Sequence, residues 1–186
     1  MAIKTFTTGE VLTASDTNTY LANSGLVYVK EQAVGSTPVA SVTVNSAFSS
    51  TYDNYVILYS GGTSSVSAGT NFNLALSGVS TNYYNVLLYG TYTGTGPSIA
   101  NTNNNRSAWS WAGGGDTTAA FVNVTLMAPF LTLPTRISST TYQGTDNAGY
   151  MSGINKTVSS STGFVLNAES GNLIGGTIFV YGYRKA

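Results

Sequence analysis

The side chains able to do chemistry in this chain are few, and their types exclude most mechanisms. There is no histidine and no cysteine, which removes the commonest general base, the thiolate nucleophile and the usual transition-metal ligands. The remaining acids are seven Asp and Glu residues. Glu10, Asp16 and Glu31 belong to the start of the chain, and Asp53 sits at a strand entrance in STYDNY. Asp116, Asp146 and Glu169 lie in the turn-like contexts GGGDTT, GTDNAG and NAESGN. Two carboxylates suffice for glycoside hydrolysis, but Asp in turns ordinarily accepts backbone N–H bonds. GTDNAG carries one carboxylate, a weak cage for calcium. AGGGDTT lacks the lysine and the strand-to-helix setting of a phosphate loop. No catalytic residue, metal site or cofactor is expected.

Binding chemistry is better represented. The segment TGTGPSIANTNNNRSAWSW reads as a long flexible loop carrying Asn103, Asn104, Asn105 and Arg106 directly before Trp109 and Trp111. Two residues apart on a strand, the tryptophans fall on one face. If exposed beside amides, they can stack on sugars while the amides bond hydroxyls; if buried, they are core residues beneath an opposing sheet. The pattern leaves both open. Asn103, Asn104, Arg106, Trp109 and Trp111 are the candidate glycan or receptor contacts.

The elements that would position them are nearly all strands. From Leu26 onward, segments such as LVYVKEQAV, NYVILYS, NFNLALS, AAFVNVTLM and GGTIFVYGYRK alternate with period two or run β-branched and aromatic. Gly, Ser, Asn and Pro clusters punctuate them. Roughly ten or eleven strands without helical interludes predict an all-β, antiparallel β-sandwich of jelly-roll type over residues 26–186.

Residues 1–25 differ. Thr13 stands three residues before Asp16, a capping-box spacing, and Gly25 follows Asn23 and Ser24 as a stop. A helix over about 14–23 is expected. Its apolar face is thin and so short a helix is marginal alone, so it needs a partner: the chain's own sheet or another protein.

Two strands are apolar on both faces. Tyr55, Ile57 and Tyr59 oppose Val56 and Leu58, and Tyr84, Val86 and Leu88 oppose Leu87 and Tyr89. Either loops cover the second face or a neighbouring subunit does. Thirteen tyrosines suit contact surfaces. Seven Lys and Arg balance the seven acids and are scattered, so neither nucleic acid nor anionic membrane is an expected partner. The first residues lack a signal peptide's apolar region, and no apolar run is long enough to span a membrane.

The opening FTTGEVLTASDTNTYLANSGLVYVKEQ, the pair VASVTVNSAFSSTYDNYVILYSG and the ending GGTIFVYGYRK resemble virion structural proteins of tailed bacteriophages. The resemblance covers both ends and the first third of the chain, and none of the middle loops. It implies a trimeric β-rich head or tail fibre or capsid-decoration protein, assembled in the host cytoplasm into the virion. An N-terminal attachment segment including Leu12, Thr13, Asp16, Tyr20 and Leu21 would dock on portal, tail, baseplate or capsid proteins. Host surface glycans are a further expected contact, and a lectin-like receptor-binding tip is the alternative role.

Overall fold

The computed structural model describes residues 7–17, 25–94, 99–143 and 147–185. One helical turn, α1 (Ala14–Asp16), precedes β1 (Leu26–Ala33), β2 (Ser41–Val44), β3 (Tyr52–Ser64), β4 (Thr70–Leu76), β5 (Tyr83–Thr91) and β6 (Ile99–Arg106). There follow β7 (Trp109–Gly115), β8 (Ala120–Met127), β9 (Thr135–Gln143), β10 (Asn147–Asn155), β11 (Phe164–Ala168) and β12 (Leu173–Arg184). The fold is all-β, and the 12 strands among the described residues form one open antiparallel sheet.

The sheet branches at β8. One edge of β8 pairs with β3 along its length. On the other edge, Ala120, Phe121 and Val122 pair with Gly115, Gly114 and Gly113 of β7, while Asn123 through Met127 pair with β9. The short branch continues from β7 through β4 and β11 to β2. The long branch reads β1-β12-β3-β8-β9-β10-β5-β6.

The two branches face each other across a single apolar cluster. Tyr59 of β3 meets Phe72 of β4 at 6.1 Å between ring centroids, and Tyr83 of β5 meets Trp109 of β7 edge-on at 4.8 Å. Tyr55, Ile57 and Tyr59 are buried along β3, and Phe72, Leu74 and Leu76 of β4 are buried opposite them at the same two-residue period.

Glycine makes the branch point possible. A Cβ at Gly113 would strike the Phe121 carbonyl oxygen, and one at Gly114 the carbonyl oxygen of Tyr142. Three backbones meet where side chains would hold them apart. The GGG run expected as a turn is therefore the end of a strand. Past the glycines, side chains replace the ladder. Ser139 Oγ donates to the Ala112 carbonyl at 2.7 Å, Thr141 Oγ1 to that of Gly113 at 3.2 Å, and Asn85 Nδ2 to that of Ser110 at 3.0 Å.

A second correction concerns SIANTNNNR. Ile99–Arg106 is not loop but the edge strand β6, which pairs with β5 alone among the described strands. Asparagine is a poor strand former, yet the backbone groups of β5 need partners, and β6 supplies them.

The N-terminal segment is described only in part. Thr13 and Asp16 form the expected capping box: Asp16 N–H donates to Thr13 Oγ1 at 3.1 Å, and Thr13 N–H to Asp16 Oδ2 at 3.2 Å. None of residues 7–17 is buried. Tyr20, Leu21 and the rest of the expected helix lie outside the described residues, as does Asp146.

Candidate functional site

The five candidate contact residues do not form one site. Trp109 is 0 % exposed. It packs edge-on to Tyr83 with ring planes at 87°, and Gly153 leaves room for its indole. With no accessible surface it offers nothing to a ligand, so its place among the glycan contacts is corrected: the core reading holds for Trp109.

Trp111 behaves differently. The ladder between β4 and β7 jumps from Phe72↔Gly113 to Leu74↔Trp109, which leaves three β7 residues against the single Asn73. At this bulge Trp111 has φ 65°, a left-handed conformation that is uncommon for a bulky residue. It is half-buried and lines a recess of about 160 Å³ with Asn71, Leu87, Tyr89, Asn101 and Asn147. The bulge is braced on both sides, because the carbonyls of Ser110 and Ala112 each accept from a side chain of the facing branch, Asn85 and Ser139.

Asn103 and Asn104 line a separate shallow groove of about 720 Å³, together with Tyr84, Val86, Arg136 and Lys156. Lys156 Nζ stands 4.0 Å from the Tyr84 ring centroid, a cation–π contact. Arg106 lines a third hollow with Asn73, Asn105, Ser110 and Glu169. The side-chain oxygens of Asn73 and Asn85 and the indole nitrogen of Trp109 are buried without hydrogen-bond partners. Among the described residues none of these hollows is lined by two carboxylates.

Three of the carboxylates have local duties. Asp116 Oδ1 accepts from the Thr118 hydroxyl, from the Thr118 N–H at 2.7 Å and from the Ala119 N–H at 3.1 Å. These bonds, led by the Thr118 hydroxyl, hold its carboxyl below the ordinary aspartate range. Asp53 pairs with Lys185 at 2.7 Å, and Glu169 Oε2 accepts from Asn71 Nδ2 at 2.7 Å. Among the described residues there is no cluster of three or more potential metal ligands, and no helix is long and apolar enough to cross a membrane.

Sequence reasoning missed Asn71, Asn101, Asn147 and Tyr89. Nothing in their spacing connects them, since they come from β4, β6, β10 and β5. It also left open what covers the second face of the apolar strands. Val86 and Leu88 of β5 are 51 % and 58 % exposed, so loops do not cover them. Phe121, Met127, Tyr142 and Tyr150 are also exposed on the face turned away from the core. Tyr150 pairs directly with Leu88. Leu58, Phe121 and Tyr142 line a hollow of about 530 Å³.

No protein-family description, curated protein or solved structure matches this chain.

Proposed function

We propose that the chain is a non-enzymatic structural component of a tailed-bacteriophage particle, a head or tail fibre or a capsid-decoration protein. In this reading the two facing branches are a sandwich of jelly-roll type. Residues 1–25 attach it to other virion proteins, and copies associate as a homotrimer through the outer face of the long branch.

The observation that carries the reading is that outer face. Large apolar side chains stand exposed on it among Asn123, Thr125, Ser138 and Thr140, in a chain with few charges, and exposed apolar surface bordered by polar residues marks an interaction site. Eight strands at the usual spacing present a face on the order of 800 Å², about what one partner contributes to a stable interface. The hollow at Phe121 and Tyr142 gives it relief for a neighbour to fill. The N-terminal segment supports attachment in a simpler way: its apolar Val11 and Leu12 are 79 % and 50 % exposed, so neither is used in the chain's own core.

Light scattering on the full chain tests the assembly, with three times the chain mass expected and a monomer at every concentration overturning it. Removing residues 1–25 tests the attachment. The truncated protein should keep its β-sheet circular dichroism and fail to join particles; normal incorporation would end the anchor proposal.

A second reading, a carbohydrate-binding receptor tip, is favoured by one observation, the amide-lined recess at Trp111.

A further inference from the structure

We propose that the recess at Trp111 binds a single neutral sugar ring. The inference rests on the second reading above and gives it a place and a ligand class.

The recess combines two kinds of surface that a pyranose needs. Trp111, Tyr89 and Leu87 supply apolar area for the C–H face of a ring, and Asn71, Asn101 and Asn147 supply amides. An amide offers donors and an acceptor side by side, which matches a sugar hydroxyl that both donates and accepts. Asn71 already donates to Glu169. Among the described residues the side chains of Asn101 and Asn147 have no hydrogen-bond partner, and Asn101 is exposed.

Size and charge narrow the ligand. About 160 Å³ is well below the roughly 300–1,000 Å³ of sites for larger small molecules, so the recess that the described residues bound has room for one ring. Among the described residues no Lys, Arg, Asp or Glu lines the recess. The cations Arg136 and Lys156 line the other groove, where an acidic sugar would go. The recess therefore suits a neutral sugar.

The bulge explains why Trp111 is held there. A bulky residue at φ 65° costs on the order of 1–2 kcal/mol, and strain of this kind persists where the surroundings enforce it. Here Asn85 and Ser139 fix the carbonyls on either side of Trp111. Trp111 packs against the core cluster on one side and lines the recess on the other, whereas Trp109 two residues earlier is wholly buried. An aromatic platform set by a braced backbone is the arrangement a binding site needs.

Trp109 is inaccessible, so a ligand in solution reports on tryptophan emission through Trp111. The full chain is titrated with methyl glycosides of glucose, galactose and mannose and with N-acetylglucosamine. At least one should change the emission saturably. Asn101→Ala and Asn147→Ala should each weaken it about tenfold, the loss of roughly one well-made hydrogen bond, with circular dichroism unchanged. Arg136→Ala and Lys156→Ala should leave it alone. A flat response to all four sugars overturns the proposal. So does a response lost on changing Arg136 or Lys156, which would place an anionic sugar in the neighbouring groove. A microbial glycan array separates this failure from that of the parent reading. Array binding that the Asn variants do not weaken removes the recess and keeps the receptor-tip reading, whereas no array binding removes both.

Discussion

Ser139 Oγ donates to the carbonyl oxygen of Ala112 at 2.7 Å, joining β9 to β7 beyond the end of the β7–β8 ladder. Both residues are buried. The same hydroxyl lies 3.0 Å from the Thr140 carbonyl, but it has one proton and the shorter contact is the better placed. Ser139→Ala leaves the Ala112 carbonyl desolvated and unpaired, which costs about 1–3 kcal/mol. Urea unfolding should show that loss. Because Ala112 follows Trp111 directly, tryptophan emission should also shift; unchanged emission would mean that Ser139 does not brace the bulge.

The glycine run at the branch makes a sharper prediction. Gly114→Ala puts a methyl group into the Tyr142 carbonyl, which is backbone and cannot rotate away, so β7 and β9 must separate. Overpacking of this kind costs about 1–3 kcal/mol or more. Gly90→Ala is the control: a Cβ there meets nothing within 4 Å, and stability should stay within about 0.5 kcal/mol of the parent. Equal effects at the two positions would mean that close approach is not what the glycines provide.

Alkaline pH should loosen the core through Tyr59 and Tyr83. Burial pushes both phenols from 10.0 up to about 12. Below pH 10 both states keep their protons and the stabilisation is complete. Between pH 10 and 12 the unfolded chain loses these protons and the folded chain keeps them, so stability falls with rising pH. Tyr83→Phe should flatten that decline without abolishing it, since Tyr59 and Tyr28 also hold their protons more tightly in the folded chain. It also costs stability at neutral pH, because Tyr83 Oη accepts from the Leu76 N–H at 2.8 Å and donates to the Val79 carbonyl at 3.1 Å. A decline of unchanged slope in the variant would rule out Tyr83 as a source.

Acid should act through the turn after β7. The carboxyl of Asp116 sits below its ordinary value because its oxygen accepts from Thr118 and Ala119. The stabilisation is present above the unfolded value of 3.8 and disappears as pH falls through the lower folded value. Asp116→Ala should cost about 1–3 kcal/mol at neutral pH and weaken the acid dependence. An acid limb identical to that of the parent protein would assign the effect to other carboxylates.

Much of this architecture was legible, and the exceptions have physical causes. NYVILYS and NFNLALS became β3 and β4 because alternation with aromatic and branched residues encodes a strand locally. IANTNNNR carries no such signal, and its extended form comes from pairing with β5, a long-range event. Ser139 and Thr141 point inward from β9, where a period-two reading puts apolar residues, because they bond the Ala112 and Gly113 carbonyls of β7 at the branch. The capping box of Thr13 and Asp16 was readable because it is closed within four residues. The recess at Trp111 was not, since its lining comes from several strands and its shape depends on a bulge. The pairing of Trp109 with Trp111 concealed that one is wholly buried and the other half-buried at the edge of the core.

The outer face of the long branch gives the last prediction, and it turns on two cross-strand neighbours. Leu88 and Tyr150 pair directly between β5 and β10, are 58 % and 53 % exposed, and point away from the core. Lysine at either position needs no burial in the isolated chain, so the fold should keep its thermal midpoint within a few degrees. Between copies the same change would bury a charge against apolar side chains, which costs several kcal/mol unless it finds a partner. Leu88→Lys with Tyr150→Lys should therefore shift light scattering from oligomer to monomer while circular dichroism is unchanged. Lys30→Glu changes a charge on β1, at the opposite end of the long branch, where the lysine donates to the Asn45 carbonyl at 2.7 Å, and it should leave the mass as it was. An oligomer that survives both lysines must be held by another surface, and the assembly proposal for this face would fall with it.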